Sequence, residues 1–247
     1  MLAQRLVDSG EVTVDGVVAS KTATLVTAEQ QVAIHETTDR WASRGGGKLA
    51  PALEELAIAP RGRHCLDAGA STGGFTDVLL RAGAARVVAV DVGYGQLAWR
   101  LRSDDRVVVL DRTNVRHLVS DDLPPPAPTL VVADLSFISL KPVLPALSRV
   151  AAADADHLLL VKPQFEAGSE RVGRGGVVRD PSVWRDVLGA VVAAGAGEGL
   201  GLAAAVVSRL PGPAGNVEFF VHLRSGAGAA ADVLDAAVAS GVRLREG

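Results

Sequence analysis

Residues 65–75 of this 247-residue chain read Cys65-Leu66-Asp67-Ala68-Gly69-Ala70-Ser71-Thr72-Gly73-Gly74-Phe75. An apolar run leads directly into a glycine-rich turn, and a helical pattern follows the turn. Glycines let the backbone approach a ligand closely, and open α/β sheets bind nucleotides at the carboxyl ends of their strands. The stretch therefore predicts a strand, a ligand-binding turn and a helix. An ordinary tight turn between a strand and a helix is the alternative.

Apolar runs and helical patterns alternate regularly on both sides of this stretch. Runs of Val and Leu separated by helices are typical of a parallel sheet that is covered on both faces, so we predict an α/β fold. The predicted strands are 64–67, 86–91, 107–111, 130–134, 157–162, 203–208 and 217–223, and the predicted helices are 48–57, 74–82, 140–153, 181–194 and 227–240.

Acidic residues end two further strands near the glycine turn. Asp91 ends the second of these strands, where an acid can bind both hydroxyls of a ribose. Asp111 ends the third strand, where it could accept a hydrogen bond from the amine of adenine. The turn lacks the G-x-G-x-x-G spacing of dinucleotide sites, and Asp67 would repel a pyrophosphate. S-adenosylmethionine carries a sulfonium and an ammonium and no phosphate, so the sequence favours this cofactor over NAD.

Four charged residues are expected at the same edge of the sheet. Asp134 and Lys162 end two strands, Lys48 begins the helix before the first strand, and Glu218 lies near the start of a late strand. Partial burial beside a like charge would let one of these lysines act as a general base at neutral pH. Such a cluster suits methyl transfer to a hydroxyl, because the sulfonium already activates the leaving group. Taken singly, each lysine is more often a solvated surface residue.

Composition restricts the class of protein. The chain has 25 Lys and Arg against 28 Asp and Glu, a net charge of −3, so the overall charge does not indicate nucleic-acid binding. The single cysteine, Cys65, excludes an intrachain disulfide and suits a reducing cytoplasm, where we place the protein. The most apolar tract, 188–207, contains Glu198 and five glycines, so no membrane span is predicted. The five histidines lack metal-ligand spacing, so no metal is predicted.

The first forty residues differ from the rest of the chain in their pattern of polar and apolar residues. Residues 2–7 have helical spacing, residues 11–18 alternate polar and apolar around an Asp-Gly pair, and residues 31–35 indicate another short strand. This fragment is too small to hold a core of its own. We predict a small appendage at 1–39, a linker at 40–44 and the main domain at 45–247.

Five motifs follow one another along this chain. They are Ser-Arg-Gly-Gly-Gly-Lys-Leu at 43–49, residues 67–77 around the glycine turn, Asp-Leu-Ser-Phe-Ile-Ser at 134–139, Lys-Pro-Gln-Phe-Glu at 162–166 and Asn-Val-Glu at 216–218. In their residues and their order, these motifs resemble the TlyA (hemolysin A) family. The family consists of ribosomal RNA cytidine 2′-O-methyltransferases with an FtsJ-like catalytic domain and an N-terminal S4-like RNA-binding domain. The resemblance implies a seven-stranded, mostly parallel, Rossmann-like class I methyltransferase fold for 45–247, and part of an S4-like domain for 1–39.

The resemblance also implies roles for individual residues. The family's Lys-Asp-Lys-Glu tetrad corresponds to Lys48, Asp134, Lys162 and Glu218, and Lys162 is implied to deprotonate or orient the ribose 2′-hydroxyl. The implied S-adenosylmethionine contacts are Asp67, Gly69, Ala70, Ser71, Gly73, Gly74, Phe75, Asp91, Asp111 and Asp134, and the expected RNA contacts are Lys21, Arg44, Arg171 and Arg174.

The resemblance implies cytidines of 16S and 23S ribosomal RNA as substrates, modifications linked in the family to capreomycin susceptibility. Residues 168–179, rich in Gly and Arg, are either a clamp for RNA phosphates or a solvated connection. The S4 module of the family begins with a further helix and a Ser-Arg turn, so we expect only its end at 1–39. The alternatives are a membrane-acting hemolysin, which would need an amphipathic or spanning segment, a non-catalytic ribosome-assembly factor, and an NAD-dependent oxidoreductase.

Overall fold

The structure is a computed structural model that describes residues 7, 12–19, 21–27, 30–34, 41–230 and 232–246. The chain divides into two compact units, Met1–Arg40 and Trp41–Gly247. The division falls within the predicted linker at 40–44. The assignment of the first unit to an S4-like fold stays a prediction.

The first unit contains a three-stranded antiparallel sheet in the order β2-β1-β3, with β1 at Val12–Val14, β2 at Val17–Val18 and β3 at Val32–Ile34. Asp15 and Gly16 connect β1 to β2, and both have positive φ (50° and 79°), as a type I′ hairpin turn requires. The predicted hairpin is confirmed. Most of the predicted helix at 2–7, and the last residue of the predicted strand at 31–35, lie outside the described residues.

The second unit is built on a seven-stranded sheet in the order β6-β5-β4-β7-β8-β10-β9. Strands β4 to β8 pair in parallel, whereas β10 is antiparallel to both β8 and β9. The central strands are Val- and Leu-rich runs that are buried on both faces, as in a sheet covered by helices on each side. The strands are β4 (His64–Ala68), β5 (Arg86–Val90), β6 (Val107–Leu110), β7 (Leu130–Ala133), β8 (Asp156–Val161), β9 (Leu200–Val207) and β10 (Phe219–Ser225).

Helices cover both faces of this sheet and bury two hydrophobic cores. One core forms around Trp184 and Phe219, and the other around Phe75 and Phe220. The α/β class and the mostly parallel, Rossmann-like sheet are therefore confirmed. The helices are α1 (Gly46–Glu55), α2 (Gly74–Arg81), α3 (Trp99–Arg102), α4 (Leu144–Val150), α5 (Pro163–Glu166), α6 (Pro181–Gly197) and α7 (Asp232–Glu246).

Two predicted helices have the wrong bounds, and α3 and α5 lie where no helix is predicted. The predicted helix at 140–153 forms only over α4, because the chain turns at 140–143 and the Leu140 N–H donates to the Glu166 side chain (2.7 Å). The predicted helix at 227–240 begins instead at Asp232. The residues before it lie along β9, where the Ala229 N–H donates to the carbonyl of Leu202 (2.8 Å).

The direction of the strands determines which residues meet at one edge of the sheet. The parallel strands β4 to β8 bring their carboxyl ends to this edge. The antiparallel β10 brings its beginning there instead, because Phe219 pairs with Val161, the last residue of β8. Glu218 and Lys162, which flank this pair, therefore belong to the same edge, together with the glycine turn after β4.

Candidate active site

The glycine turn at residues 69–74 connects β4 to α2. Gly69 and Gly73 have φ values of +88° and +100°, which residues with a side chain rarely adopt. A Cβ atom on Gly69 would lie 2.6 Å from the carbonyl oxygen of Asp134. Only glycine therefore allows the turn to approach the segment that follows β7.

Backbone N–H groups hold the carboxylate of Asp91 at the end of β5. Its Oδ2 accepts a hydrogen bond from the N–H of Ser71 (2.8 Å), and its Oδ1 accepts one from the N–H of Gly93 (2.7 Å). These bonds fasten the glycine turn to the loop after β5. Each carboxylate oxygen retains a further lone pair, so Asp91 can still accept hydrogen bonds from ligand hydroxyls.

Asp67 is fully buried in β4, just before the glycine turn. Its Oδ2 accepts a hydrogen bond from Thr76 Oγ1 (2.6 Å). Burial raises the pKa of Asp67 to about 7, with smaller contributions from the charges of Asp134 and Asp91, although the Thr76 hydrogen bonds act in the opposite direction. The carboxyl group of Asp67 therefore titrates close to neutral pH.

Two lysine–carboxylate pairs stand at the same edge. Lys48 Nζ donates a hydrogen bond to Glu218 Oε2 at 2.6 Å, and Lys162 Nζ lies 2.5 Å from Asp134 Oδ1. Lys162 Nζ also donates to Ser136 Oγ at 2.9 Å. Because each pair is neutral in sum, the attraction within the pair offsets part of the cost of removing its charges from water.

The second oxygen of Glu218 is bound as well. Gln164 Nε2 donates to Glu218 Oε1 at 3.2 Å, so a lysine and an amide hold the carboxylate from two elements. Gln164 belongs to α5, the short helix that begins directly after Lys162. The segment after β8 therefore contributes to both ion pairs.

Two cavities of about 500 and 520 Å³ adjoin at this edge. Lys48, Lys162 and Glu218 line the first, which we name the lysine cavity. Asp91 and Asn114 line the second, which we name the Asp91 cavity. The residues that line both are Gly69, Ser71, Asp134, Ser136 and Phe137. Ligands in the two cavities would therefore meet beside Asp134 and Ser136.

Three features occur together at this edge of the main sheet: a glycine turn, an acid after the second strand and a Lys-Asp-Lys-Glu cluster. The sequence pattern of the FtsJ-like methyltransferases matches residues 41–225. The chain belongs to the FtsJ-like methyltransferase family. It also belongs to the TlyA group of this family: it is 54% identical over 224 residues to the 16S/23S rRNA (cytidine-2′-O)-methyltransferase TlyA of Mycobacterium tuberculosis, covering 90% of this chain and 83% of that protein.

Solved structures agree with the family assignment. A protein from Streptococcus thermophilus that bears the name hemolysin superposes with a TM-score of 0.84 and 36% identity, covering 99% of this chain and 90% of that one. An S-adenosylmethionine-dependent methyltransferase from Mesorhizobium loti superposes with a TM-score of 0.52 and 15% identity, covering 70% of this chain and 96% of that one. The second likeness concerns the fold alone.

The fold of this FtsJ-like chain brings most of the predicted site residues together. Asp91 lines the cavity that we named after it. The predicted residues that line the lysine cavity are Arg44, Lys48, Gly69, Ala70, Ser71, Gly74, Phe75, Asp134, Lys162 and Glu218.

Three predicted cofactor contacts line neither cavity, and their role in ligand binding stays a prediction. Asp67 is buried before the turn, and Gly73 faces Leu97 and Leu101, which a Cβ atom there would contact. The carboxylate of Asp111 pairs with Arg102 and accepts a hydrogen bond from the N–H of Gly95 (3.3 Å). The chain turns after β6, so Asn114, three residues further on, lines the Asp91 cavity instead.

The predicted RNA contacts are dispersed. Lys21 is exposed in the first unit, and Arg44 is an exposed residue that lines the lysine cavity. Arg174 is exposed beside Gly175 and Gly176, which line the same cavity. Arg171 pairs with Asp186 on α6 (2.8 Å), so its guanidinium already has an anionic partner in this structure.

Sequence reasoning missed several neutral residues in the cavity walls. Ser136, Gln164 and Asn216 line the lysine cavity, and Phe137 lines both cavities. Ser136, Gln164 and Asn216 each stand two residues from a predicted charged residue, which was the available signal. Neutral polar residues are common in loops, so their position alone does not distinguish them.

Proposed function

We propose that this chain transfers the methyl group of S-adenosylmethionine to the 2′-hydroxyl of a cytidine in ribosomal RNA, in the cytoplasm. The observation that carries the proposal is the position of Lys162 Nζ, within 2.9 Å of both Asp134 Oδ1 and Ser136 Oγ, where the two cavities adjoin. The TlyA relative from Mycobacterium tuberculosis is named for this activity on 16S and 23S ribosomal RNA.

The Asp91 cavity has the chemistry that S-adenosylmethionine requires. Asp91 would accept hydrogen bonds from the ribose hydroxyls, and the glycine turn would let the backbone approach the ligand. Val115, Leu135 and Ile138 line the cavity and would surround the adenine with apolar atoms. The carboxylates of Asp91 and Asp134 suit a ligand that carries positive charges and no phosphate.

The side chains of the lysine cavity would align and deprotonate the attacking hydroxyl. S-adenosylmethionine supplies a methyl group bonded to a sulfonium, which is an activated leaving group. Once Lys162 has released a proton to water, its neutral Nζ would hold the ribose 2′-oxygen and accept its proton while the oxygen–carbon bond forms and the sulfur–carbon bond breaks. Asp134 and Ser136 hold Lys162 Nζ in place, and the pair of Lys48 and Glu218 supports the adjoining wall.

An aromatic platform stands at the entrance to the site. Phe137 is 91% exposed, has a φ of +65°, and its ring centroid lies 5.2 Å from that of Phe165. An exposed ring of this kind can stack on a base, and exposed arginines bind phosphates. We propose that Phe137 contacts the base of the target nucleotide, with Arg44 and Arg174 contacting the RNA backbone.

Transfer of a tritiated methyl group to ribosomal subunits tests the proposed function. The wild type should label RNA at a ribose 2′-oxygen of cytidine, and Lys162→Ala should lose at least about a hundredfold in kcat, the contribution of one positioned general base. Lys141→Ala removes an exposed lysine outside both cavities and should retain wild-type activity. Full activity of Lys162→Ala would contradict the assignment of the base.

Calorimetry with S-adenosylmethionine separates this proposal from the other classes. Lys162→Ala should still bind the cofactor, since Lys162 does not line the Asp91 cavity. A wild type that binds the cofactor without methylating RNA would point to a non-catalytic assembly factor, and binding of NAD would point to an oxidoreductase. For the hemolysin alternative, no helix among the described residues is long and apolar enough to cross a membrane.

A further inference from the structure

Two loops form one side of the lysine cavity. Gly175 and Gly176 belong to the loop that precedes α6, and Pro211, Ala214 and Asn216 belong to the loop that precedes Glu218 and β10. All five line the lysine cavity, and none of them lines the Asp91 cavity. This wall would therefore face the RNA and not the cofactor.

One buried side chain joins the two loops. Asn216 is 2% exposed, and its Oδ1 accepts a hydrogen bond from the N–H of Val178 (2.9 Å). Its Nδ2 donates to the carbonyl of Gly176 (2.8 Å). Separating the loops would leave a buried amide without partners, which is unfavourable for both its donor and its acceptor.

The glycine loop at residues 173–177 is closed by two hydrogen bonds of its own, from the Gly173 N–H to the Val177 carbonyl (3.1 Å) and from the Gly176 N–H to the Gly173 carbonyl (3.1 Å), but neither bond attaches it to the neighbouring loop. Gly175 and Gly176 have φ values of +74° and +75°, and a Cβ atom on either would meet nothing within 4 Å. Across the described residues, the bond from Asn216 to Gly176 is the only hydrogen bond from 173–177 to the loop at 211–216. Glycine-rich backbone has more conformational freedom than other sequences. The hydrogen bond from Asn216 therefore restricts the positions that the glycine loop can adopt in this wall.

The same residue is connected to the charged cluster. The backbone carbonyl of Asn216 accepts a hydrogen bond from the N–H of Gly212 (2.9 Å), which closes a turn. A Cβ atom on Gly212 would lie 2.6 Å from Glu218 Oε1, so this turn packs directly on the carboxylate that binds Lys48. Asn216 therefore links the glycine loop to the turn that contacts the tetrad.

We propose that Asn216 is a positioning residue that holds the glycine loop against the loop before Glu218 and so shapes the RNA side of the lysine cavity. The inference rests on the proposed function, in which RNA enters this cavity and the cofactor occupies the Asp91 cavity. Loss of the amide should loosen the RNA-facing wall and weaken RNA binding. Cofactor binding should be unaffected, because neither loop lines the Asp91 cavity.

Steady-state kinetics of Asn216→Ala, with Ser208→Ala as the control, test the proposal. Ser208 is also buried and its Oγ donates to the carbonyl of Leu210 (2.8 Å), but among the described residues it makes no hydrogen bond to the glycine loop. Asn216→Ala should raise KM for RNA about tenfold, as expected for about 1.4 kcal/mol of lost hydrogen bonding, with kcat and the cofactor Kd within about threefold of wild type. Ser208→Ala should leave KM for RNA within about twofold.

Amide hydrogen exchange supplies a readout that requires neither RNA nor activity. The Val178 N–H should exchange at least about tenfold faster in Asn216→Ala, because it loses its acceptor. Asn216→Asp retains an oxygen at this position, so Val178 should stay protected there. Equal exchange of Val178 in the wild type and in Asn216→Ala would overturn the proposal.

The outcomes separate this inference from the proposed function. A wild type without methyl transfer would reject the proposed function, and the exchange experiment would still test Asn216. If the wild type is active, two results for Asn216→Ala would overturn the inference alone. One is an unchanged KM for RNA, and the other is an equal weakening of RNA and cofactor binding. If Asn216→Ala fails to fold, Gly176→Ala strains a φ of +75° without emptying a buried position and should raise KM for RNA. An unchanged KM in that variant would also reject the inference.

Discussion

Lys48 Nζ and Glu218 Oε2 lie 2.6 Å apart, although 170 positions separate the two residues in the sequence. Their side chains are 8% and 0% exposed. The pair joins α1, which precedes the main sheet, to the start of β10, which is the last strand to enter it. This one contact therefore connects the first helix of the second unit to the segment that enters its last strand.

Removing one partner of this pair should destabilise the protein strongly. Glu218→Ala leaves a buried ammonium without its counter-ion, at a cost of about 3–5 kcal/mol in the free energy of unfolding. Glu55→Ala removes a partner of the exposed Arg209 pair (3.4 Å) and should cost less than about 1 kcal/mol. Urea unfolding at neutral pH measures both changes. Equal costs for the two variants would contradict the role of burial.

Asp67 should make the stability of the folded chain fall as pH rises. Its pKa is about 7 in the folded chain against an ordinary value of 3.8. The folded chain therefore keeps a proton between these values that the unfolded chain has lost, and stability declines across this window by up to about 4 kcal/mol. The contribution is fully present below the ordinary pKa and is lost as pH rises through the folded one.

Asp67→Asn should flatten this pH dependence. The amide oxygen can still accept the hydrogen bond from Thr76, but the residue no longer titrates. Asp154→Asn, at an exposed position, should keep the wild-type slope. Denaturant unfolding at about pH 4.5 and about pH 7.5 without cofactor compares the three proteins. A wild-type slope in Asp67→Asn would show that other groups control the stability here.

Asp91 and Asp111 should differ in their effect on cofactor binding, although each follows a strand of the same sheet. Asp91→Asn should raise the Kd for S-adenosylmethionine by at least about tenfold, because charge-assisted hydrogen bonds to the ribose hydroxyls are lost. Asp111→Asn should change this Kd by less than about threefold, since the carboxylate lies outside the cavity and binds Arg102. Titration calorimetry measures both Kd values, and the reversed order would support Asp111 as a cofactor contact.

Phe137→Ala should weaken RNA binding without destabilising the fold. The side chain is 91% exposed, so its loss removes little buried surface and should not lower the melting temperature. Loss of one stacked base costs about 1–3 kcal/mol, which corresponds to a rise in the KM for RNA of about 5- to 150-fold. Phe137→Trp should retain most of the affinity. Steady-state kinetics with ribosomal RNA would contradict the stacking role if both variants kept the wild-type KM.

Two of the four charged residues of the site, Asp134 and Lys162, were predictable from the sequence because of the way parallel strands end. Asp134 and Lys162 follow apolar runs, and the carboxyl ends of parallel strands meet at one edge. Residues at these positions therefore converge whatever the loops do. The glycine turn was predictable for a different reason. Its positive φ values at Gly69 and Gly73 require glycine, so the turn leaves a visible mark in the sequence.

The rest depends on contacts that pattern analysis does not show. Asp91 and Asp111 occupy similar positions after their strands, and what separates them is the presence of Arg102 near Asp111. Asn216 acquires its position through one hydrogen bond to Val178, 38 residues away, and one to Gly176. A neutral side chain gains such a role only when a second loop packs on it.

The antiparallel direction of β10 has a consequence during protein synthesis. Phe219, the first residue of this strand, lies at the charged edge next to Glu218. Glu218, the counter-ion of Lys48, is therefore translated 170 residues after Lys48. Strand β10 must then insert between β8 and β9, both of which are synthesised before it. A nascent chain therefore lacks a complete tetrad until residue 218 has been translated.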